Sequence, residues 1–235
     1  MKKQLSLTTL ILLFFSLFTL AQDSLSARQI LEKNIEAQGG RSVLENIQTV
    51  YSEFKTTMEG RQVHLIIRQM LPNKGSFEIV YQGRTVYKSF FDGKQGYDIN
   101  NGEKKLAADD VYKDKFYMHN IFDELDYLDT ALYTIELLPN AVVGDEPAYV
   151  IKATLKNGAE RIIYYSQKTF LELKLERTKL QESERSNETI IEKQKRYRNI
   201  MFPSQQRMNV GTDHEQTLVL VNIYLNDKVS DADFQ

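Results

Sequence analysis

The 235-residue chain contains no cysteine. That absence excludes disulfides, thiolate metal centres, cysteine nucleophiles and a lipid-modified N-terminal cysteine together. Histidine is almost as scarce: His64, His119 and His214 are the three in the sequence, with no H-x-x-x-H or H-E-x-x-H spacing to hold a metal. There is no phosphate-binding glycine loop, no G-x-G-x-x-G and no G-x-S-x-G elbow, so nucleotide-dependent and serine-nucleophile chemistry lose their usual handles. Charge is nearly balanced, 30 Lys and Arg against 32 Asp and Glu, and gives no footprint for a nucleic-acid partner. The sequence calls for no cofactor and no metal. Carboxylates cluster only along residues 109–129 and at Asp227, Asp231 and Asp233. Such clusters are ordinarily solvated faces, which argues against an enzyme.

Long apolar runs are confined to the start. Lys2 and Lys3 precede an apolar stretch from Leu5 to Leu20, and Thr19-Leu20-Ala21 supplies small residues where a signal peptidase cuts. The stretch is shorter than the ~20 residues of a spanning helix. Residues 1–21 are therefore expected to be a cleaved secretory signal and 22–235 a single exported domain, more acidic by the loss of Lys2 and Lys3.

What is abundant is alternation. Gln62 to Met70, Ser76 to Gln82 and Thr85 to Phe91 each read as a strand, separated by Pro72-Asn73-Lys74-Gly75 and Gly83-Arg84, and Asp92-Gly93 closes the third. Val63, Leu65 and Ile67 share one face of the first strand; Phe77, Ile79 and Tyr81 share one face of the second. An apolar sheet face has to be covered by helices, by another sheet or by a ligand. Thr49 to Met58 is the expected preceding strand. Before it, Ser26-Ala27-Arg28-Gln29 forms a capping box for a helix with Ala27, Ile30, Leu31 and Ile35 on one stripe and Gly39-Gly40 at its end. A second helical turn covers Ser42 to Ile47.

Asn101-Gly102 marks a two-residue hairpin. The fragment Asp98 to Gly102 looks superficially like a calcium loop, but the later oxygen donors and the closing glutamate are missing. From Ala107 to Leu132 the pattern changes to a helical one, with Val111, Tyr112, Phe116, Met118, Ile121, Phe122, Leu125 and Leu128 apolar and Asp109, Asp110, Asp114, Asp123, Glu124, Asp126 and Asp129 on the solvated side. A break near Met118 to Asn120 predicts two helices with a bend, placed to form a lid. Strands are then expected at Tyr149 to Leu155, Arg161 to Ser166, Glu172 to Lys179, Thr189 to Arg198, Gln205 to Val210 and Gln216 to Tyr224. Glu182 to Glu188 reads as a charged hairpin tip, and Pro203 as a residue just ahead of a strand.

The order of these elements is itself a signature. Ile30-Leu31-Glu32-Lys33-Asn34-Ile35, the Leu44 to Ile47 turn, Phe91-Asp92-Gly93-Lys94-Gln95-Gly96-Tyr97, a helical insertion, Tyr149-Val150-Ile151-Lys152-Ala153-Thr154, Tyr164-Tyr165-Ser166, Tyr197 to Pro203 and Val221 to Asn226 follow one another. Over nearly the whole exported chain this resembles the outer-membrane lipoprotein-sorting (LolA-like) family, in its Bacteroidetes periplasmic form. Ser166 departs from relatives that often carry an acidic residue there.

The resemblance implies an α+β, mainly β fold: one strongly curved antiparallel sheet, an incomplete β-barrel, covered on its concave face by helices. It further implies a periplasmic monomer whose apolar cavity holds a lipid or lipoprotein acyl chain and exchanges it with inner- or outer-membrane docking proteins. Leu65, Ile67, Phe77, Ile79, Phe91 and Tyr97 are the expected fixed wall of the cavity, and Met118, Ile121, Phe122 and Leu125 the moving side. The competing expectation is a periplasmic sensor or interaction module of the same fold without cargo.

Overall fold

A computed structural model describes residues 25–108, 112–177 and 188–235. The expected signal segment, Asp109, Asp110, Val111 and most of the expected 182–188 hairpin tip lie outside them.

Among the described residues, thirteen strands form one antiparallel sheet. They are β1 (Thr49–Met58), β2 (Arg61–Met70), β3 (Lys74–Tyr81), β4 (Arg84–Phe91), β5 (Gly96–Asn100), β6 (Glu103–Leu106), β7 (Tyr133–Val143), β8 (Glu146–Leu155), β9 (Glu160–Ser166), β10 (Glu172–Arg177), β11 (Glu188–Tyr197), β12 (Ile200–Met208) and β13 (Gln216–Leu225). Their order is β6-β5-β4-β3-β2-β1-β13-β12-β11-β10-β9-β8-β7. Every neighbour follows in sequence except β1 and β13, which join the two meanders. The edges are β6 and β7, so the sheet curves without closing and residues 107–132 carry the chain from one edge to the other. Asn101 and Gly102, both at positive φ, make the expected hairpin between β5 and β6.

The first helix, Ala27–Gln38, has the capping box read from its sequence: Ser26 Oγ accepts from the Gln29 amide while Gln29 Oε1 accepts from the Ser26 amide at 2.8 Å. Its stripe of Ile30, Leu31 and Ile35 is fully buried with Val50, Ile151, Ile163, Tyr165 and Ile200 in the main core. Gly39 ends it at φ 147°, and a Cβ there would stand 2.3 Å from the carbonyl oxygen of Asn199. Only glycine allows that approach. A short helix, Arg41–Glu45, follows.

Several expectations about the chain after β6 require correction. Residues 112–132 are not a pair of long helices: they contain a 3-10 turn, Lys113–Tyr117, and one five-residue helix, Asp123–Tyr127. The apolar residues are buried in different directions: Ile121, Phe122, Leu125 and Leu128 pack on the main core, while Tyr112 stacks on Phe91. The Asp126 carboxylate accepts from the amides of His119 and Asn120 at 3.0 and 3.3 Å and from Asn120 Nδ2 at 2.8 Å, holding the bend open. Glu124 and Asp126 are accordingly only 6% and 3% exposed, where a solvated face was expected. Strand β7 was also not foreseen, because Pro139-Asn140 interrupts its alternation. It is an edge strand whose register shifts between Leu138 and Ala141, where a proline is tolerated. Pro203 lies within β12 rather than ahead of it, opposite the register shifts of β11.

The outer face around β3 is occupied by the C-terminal 3-10 turn Asp231–Phe234. Asp231 pairs with Lys74, Asp233 lies 3.3 Å from Arg68 Nε, and Phe234 is buried. The acidic C-terminus is thus used in docking. The paired tyrosines end in Ser166, whose Oγ bonds Glu146 and accepts from the amides of Lys168 and Thr169 at 3.1 and 2.9 Å, closing the turn.

Candidate functional site: the concave face

Strand register assigns the concave face. Phe54 pairs with Leu65, Leu65 with Ile79, Ile67 with Phe77, and Gly75 with Phe91, so Leu65, Ile67, Phe77, Ile79 and Phe91 share one side with Val50. Tyr97 does not: it pairs with Phe90, stacks on it at 5.1 Å and faces outward. This corrects its assignment to the wall, since a one-residue difference in register reverses a side chain.

The two halves of this face are covered differently. Leu65 belongs to a cluster with Phe54, Val63 and Leu218, against which Ile67, Phe77, Ile79, Met58, Tyr81, Phe202, Met208 and Leu220 pack while partly exposed. Every member is a strand residue; among the described residues no helix contributes. Ile121, Phe122 and Leu125 pack instead on the helix-covered main core. The expected wall and the expected lid therefore occupy different halves. Met118 follows the 3-10 turn, its amide bonding Lys115 O at 3.3 Å.

Over the end of the uncovered half lies a part of the crossover that the sequence placed in the apolar stripe but not in the site. Tyr112 stacks on Phe91 at 5.6 Å and Phe116 meets it edge-on at 5.2 Å. Gly96 makes this possible, because a Cβ there would fall 2.0 Å from the Tyr112 ring. Beneath Tyr112 and Lys115 is a cavity of about 260 Å³ that includes Ile67, Gly75, Phe77 and Ser89 in its lining. It joins an apolar floor to a cationic roof.

A second cavity, about 290 Å³, separates Ile121, Phe122, Glu124 and Tyr127 from Glu172, Leu175, Arg177, Gln194 and Phe202. Its carboxyls are strongly perturbed. Burial, reinforced by Asp123, pushes Glu124 up to about 7. Burial, reinforced by Glu124, pushes Glu172 up to about 8. Arg161 is committed to Asp123 and to Tyr127 Oη, the latter at 3.1 Å. Tyr165, 0% exposed and paired in register with Glu172, has a hydroxyl with no hydrogen-bond partner among the described residues. A carboxyl titrating near neutrality can store or release a proton. Glu172 and Tyr165 were legible as strand residues, but their meeting with Glu124 arises only when the crossover folds over the sheet.

The fold is shared with solved structures. A DUF1329 family protein from Desulfovibrio piger superposes with TM-score 0.59 at 13% identity, covering 88% of this chain and 95% of that one. A LolA superfamily protein from Nitrosomonas europaea gives TM-score 0.57 at 15% identity, over 90% and 98% of the two chains. The chain shares the fold of these structures. A domain from Vibrio parahaemolyticus named for outer membrane lipoprotein sorting gives 0.56 at 12% identity over 87% and 95%. No protein-family model and no curated protein matches the sequence. The apolar strand cluster and the two cavities are read from this chain's own residues.

Proposed function

We propose that the protein is an exported periplasmic carrier that holds the acyl chain of a lipid or lipoprotein against Leu65, Ile67, Phe77 and Ile79. The observation that carries the reading is the apolar strand cluster of the concave face, partly exposed and, among the described residues, with no helix residue packed into it. An apolar concavity with few polar groups is how small-ligand sites are built. Each methylene moved from water to such a wall contributes about 0.8 kcal/mol, so a single chain supplies useful affinity. Phe91, Tyr112 and Phe116 close one end. Met118, Ile121 and Phe122 form the neighbouring side of the crossover, and Leu125 anchors it in the core. The protein works as a monomer and passes its cargo to docking proteins at the inner or outer membrane. It acts by binding, with Glu124 and Glu172 setting the charge of the interior and no substrate turned over.

One observation favours the alternative of a cargo-free periplasmic sensor or interaction module: Ile121, Phe122 and Leu125 rest directly on the main core. Gentle purification followed by extraction and mass spectrometry separates the two. The carrier reading expects co-purifying lipid and uptake of a fluorescent fatty acid. Absence of both leaves the interaction module.

A further inference from the structure

Lys115 is the one cation among the lining residues of the apolar cavity that are drawn from the crossover. Its side chain lies flat over the sheet, with Nζ 3.0 Å and Cε 3.4 Å from where a Cβ on Gly75 would stand. The absence of a side chain at Gly75 leaves room for it. Ile67, Phe77 and Tyr112 surround it, and among the described residues no carboxylate forms an ion pair with it. A lysine is ordinarily kept out of such surroundings unless paired.

The charged groups facing Lys115 are Asp123, Arg161 and Arg177. Asp123 attracts it but is already bonded to Arg161, and both guanidiniums repel it. Glu124 faces Asp123, Arg161 and Gln38; Glu172 faces Glu124, Asp123, Arg161 and Arg177. Among the groups that face Lys115, Asp123 is the one carboxylate, and Arg161 already holds it. The Lys115 ammonium is left without an ion-pair partner of its own among the described residues.

We propose that the concave cavity binds a single-chain amphiphile with an anionic headgroup, the chain lying over Ile67 and Phe77 and the carboxylate or phosphate pairing with the Lys115 ammonium. This deepens the carrier reading and rests on it, because the chain needs the apolar floor. A charge-assisted hydrogen bond in a partly desolvated site is among the stronger polar contacts available. Burial lowers the Lys115 pKa, and a bound anion reverses that cost. Because burial lowers the Lys115 pKa, anion binding is strongest at low pH and weakens as the ammonium loses its proton.

The test is isothermal titration calorimetry of the exported chain with decanoate, 1-decanol and lysophosphatidylglycerol at pH 6 and pH 9, on the natural protein and on Lys115→Met, which keeps the apolar stem. The expected result is decanoate or lysophosphatidylglycerol bound about tenfold more tightly than decanol at pH 6. That preference shrinks at pH 9 and is absent in Lys115→Met, whose decanol binding is unchanged. Preference for decanoate alone identifies a fatty-acid carboxylate, and preference for lysophosphatidylglycerol alone a phospholipid headgroup. Decanol bound as tightly as both anions overturns the inference and leaves the carrier reading standing. Equal weakening of all three ligands by Lys115→Met makes the lysine a structural residue and also overturns it. No binding of any of the three removes both.

Discussion

Replacing Glu124 by glutamine changes how stability depends on pH more than it changes the fold. In the folded protein the carboxyl is buried and titrates at about 7, against an ordinary value of 4.5. Below pH 4.5 it is protonated whether the chain is folded or not, and its contribution is neutral. Between 4.5 and 7 the unfolded chain releases the proton while the folded chain retains it, so the unfolded state binds fewer protons and stability falls as pH rises. Above 7 both forms are ionised and the loss is complete. Each pH unit of that interval is worth about 1.4 kcal/mol, so Glu124 costs about 3 kcal/mol at pH 8. Glu172 acts in the same direction up to about 8, but it is partly exposed and contributes less than its pKa alone implies. Urea denaturation at pH 5, 6, 7 and 8 measures the effect. The natural protein should lose stability across the series, and Glu124→Gln should flatten the curve by about 3 kcal/mol at its alkaline end. Parallel curves for the two proteins would refute the reasoning, because they would mean the carboxyl is not desolvated.

Two substitutions in the crossover discriminate core from cover. Leu125 is 6% exposed within the main core, so Leu125→Ala should cost about 2–4 kcal/mol in urea unfolding, whereas Phe122→Ala, at the edge of a cavity, should cost less and alter ligand uptake instead. Equal destabilisation would show that both residues are core. Gly96→Ala places a methyl where the Tyr112 ring lies, which should displace the ring from Phe91 and expose the apolar end of the sheet. Increased binding of a hydrophobic dye with the unfolding midpoint nearly preserved is the expected readout; an unchanged dye signal would contradict the covering role of Tyr112.

Local physics made much of this protein readable in advance. The capping box at Ser26, the stripe of Ile30, Leu31 and Ile35, the alternation along β2 and β3 and the Asn101-Gly102 turn each rest on residues close in sequence. Register then follows for strands joined by tight turns, which is why Leu65, Ile67, Phe77 and Ile79 share a face as expected. Tyr97 failed the same reasoning because its face depends on how β5 emerges from the Asp92-Gly93 turn. The crossover failed for a different reason. Helical spacing records which residues are buried but not the path that buries them, and Asp126 could capture the amides of His119 and Asn120 instead of leaving them to a helix.

What the amino-acid sequence alone determined was the class of the fold, its exported character as an expectation, and an apolar sheet face in need of a cover. Only the tertiary structure decided what lies on that face. Pairing β1 with β13 places the sheet's edges at β6 and β7 and sends the crossover between them. Glu124 is thereby carried to Glu172, and Lys115 to Gly75 and Phe77. Residues distant in the chain acquire their perturbed proton affinities only there, because desolvation and Coulomb interaction depend on distance in space.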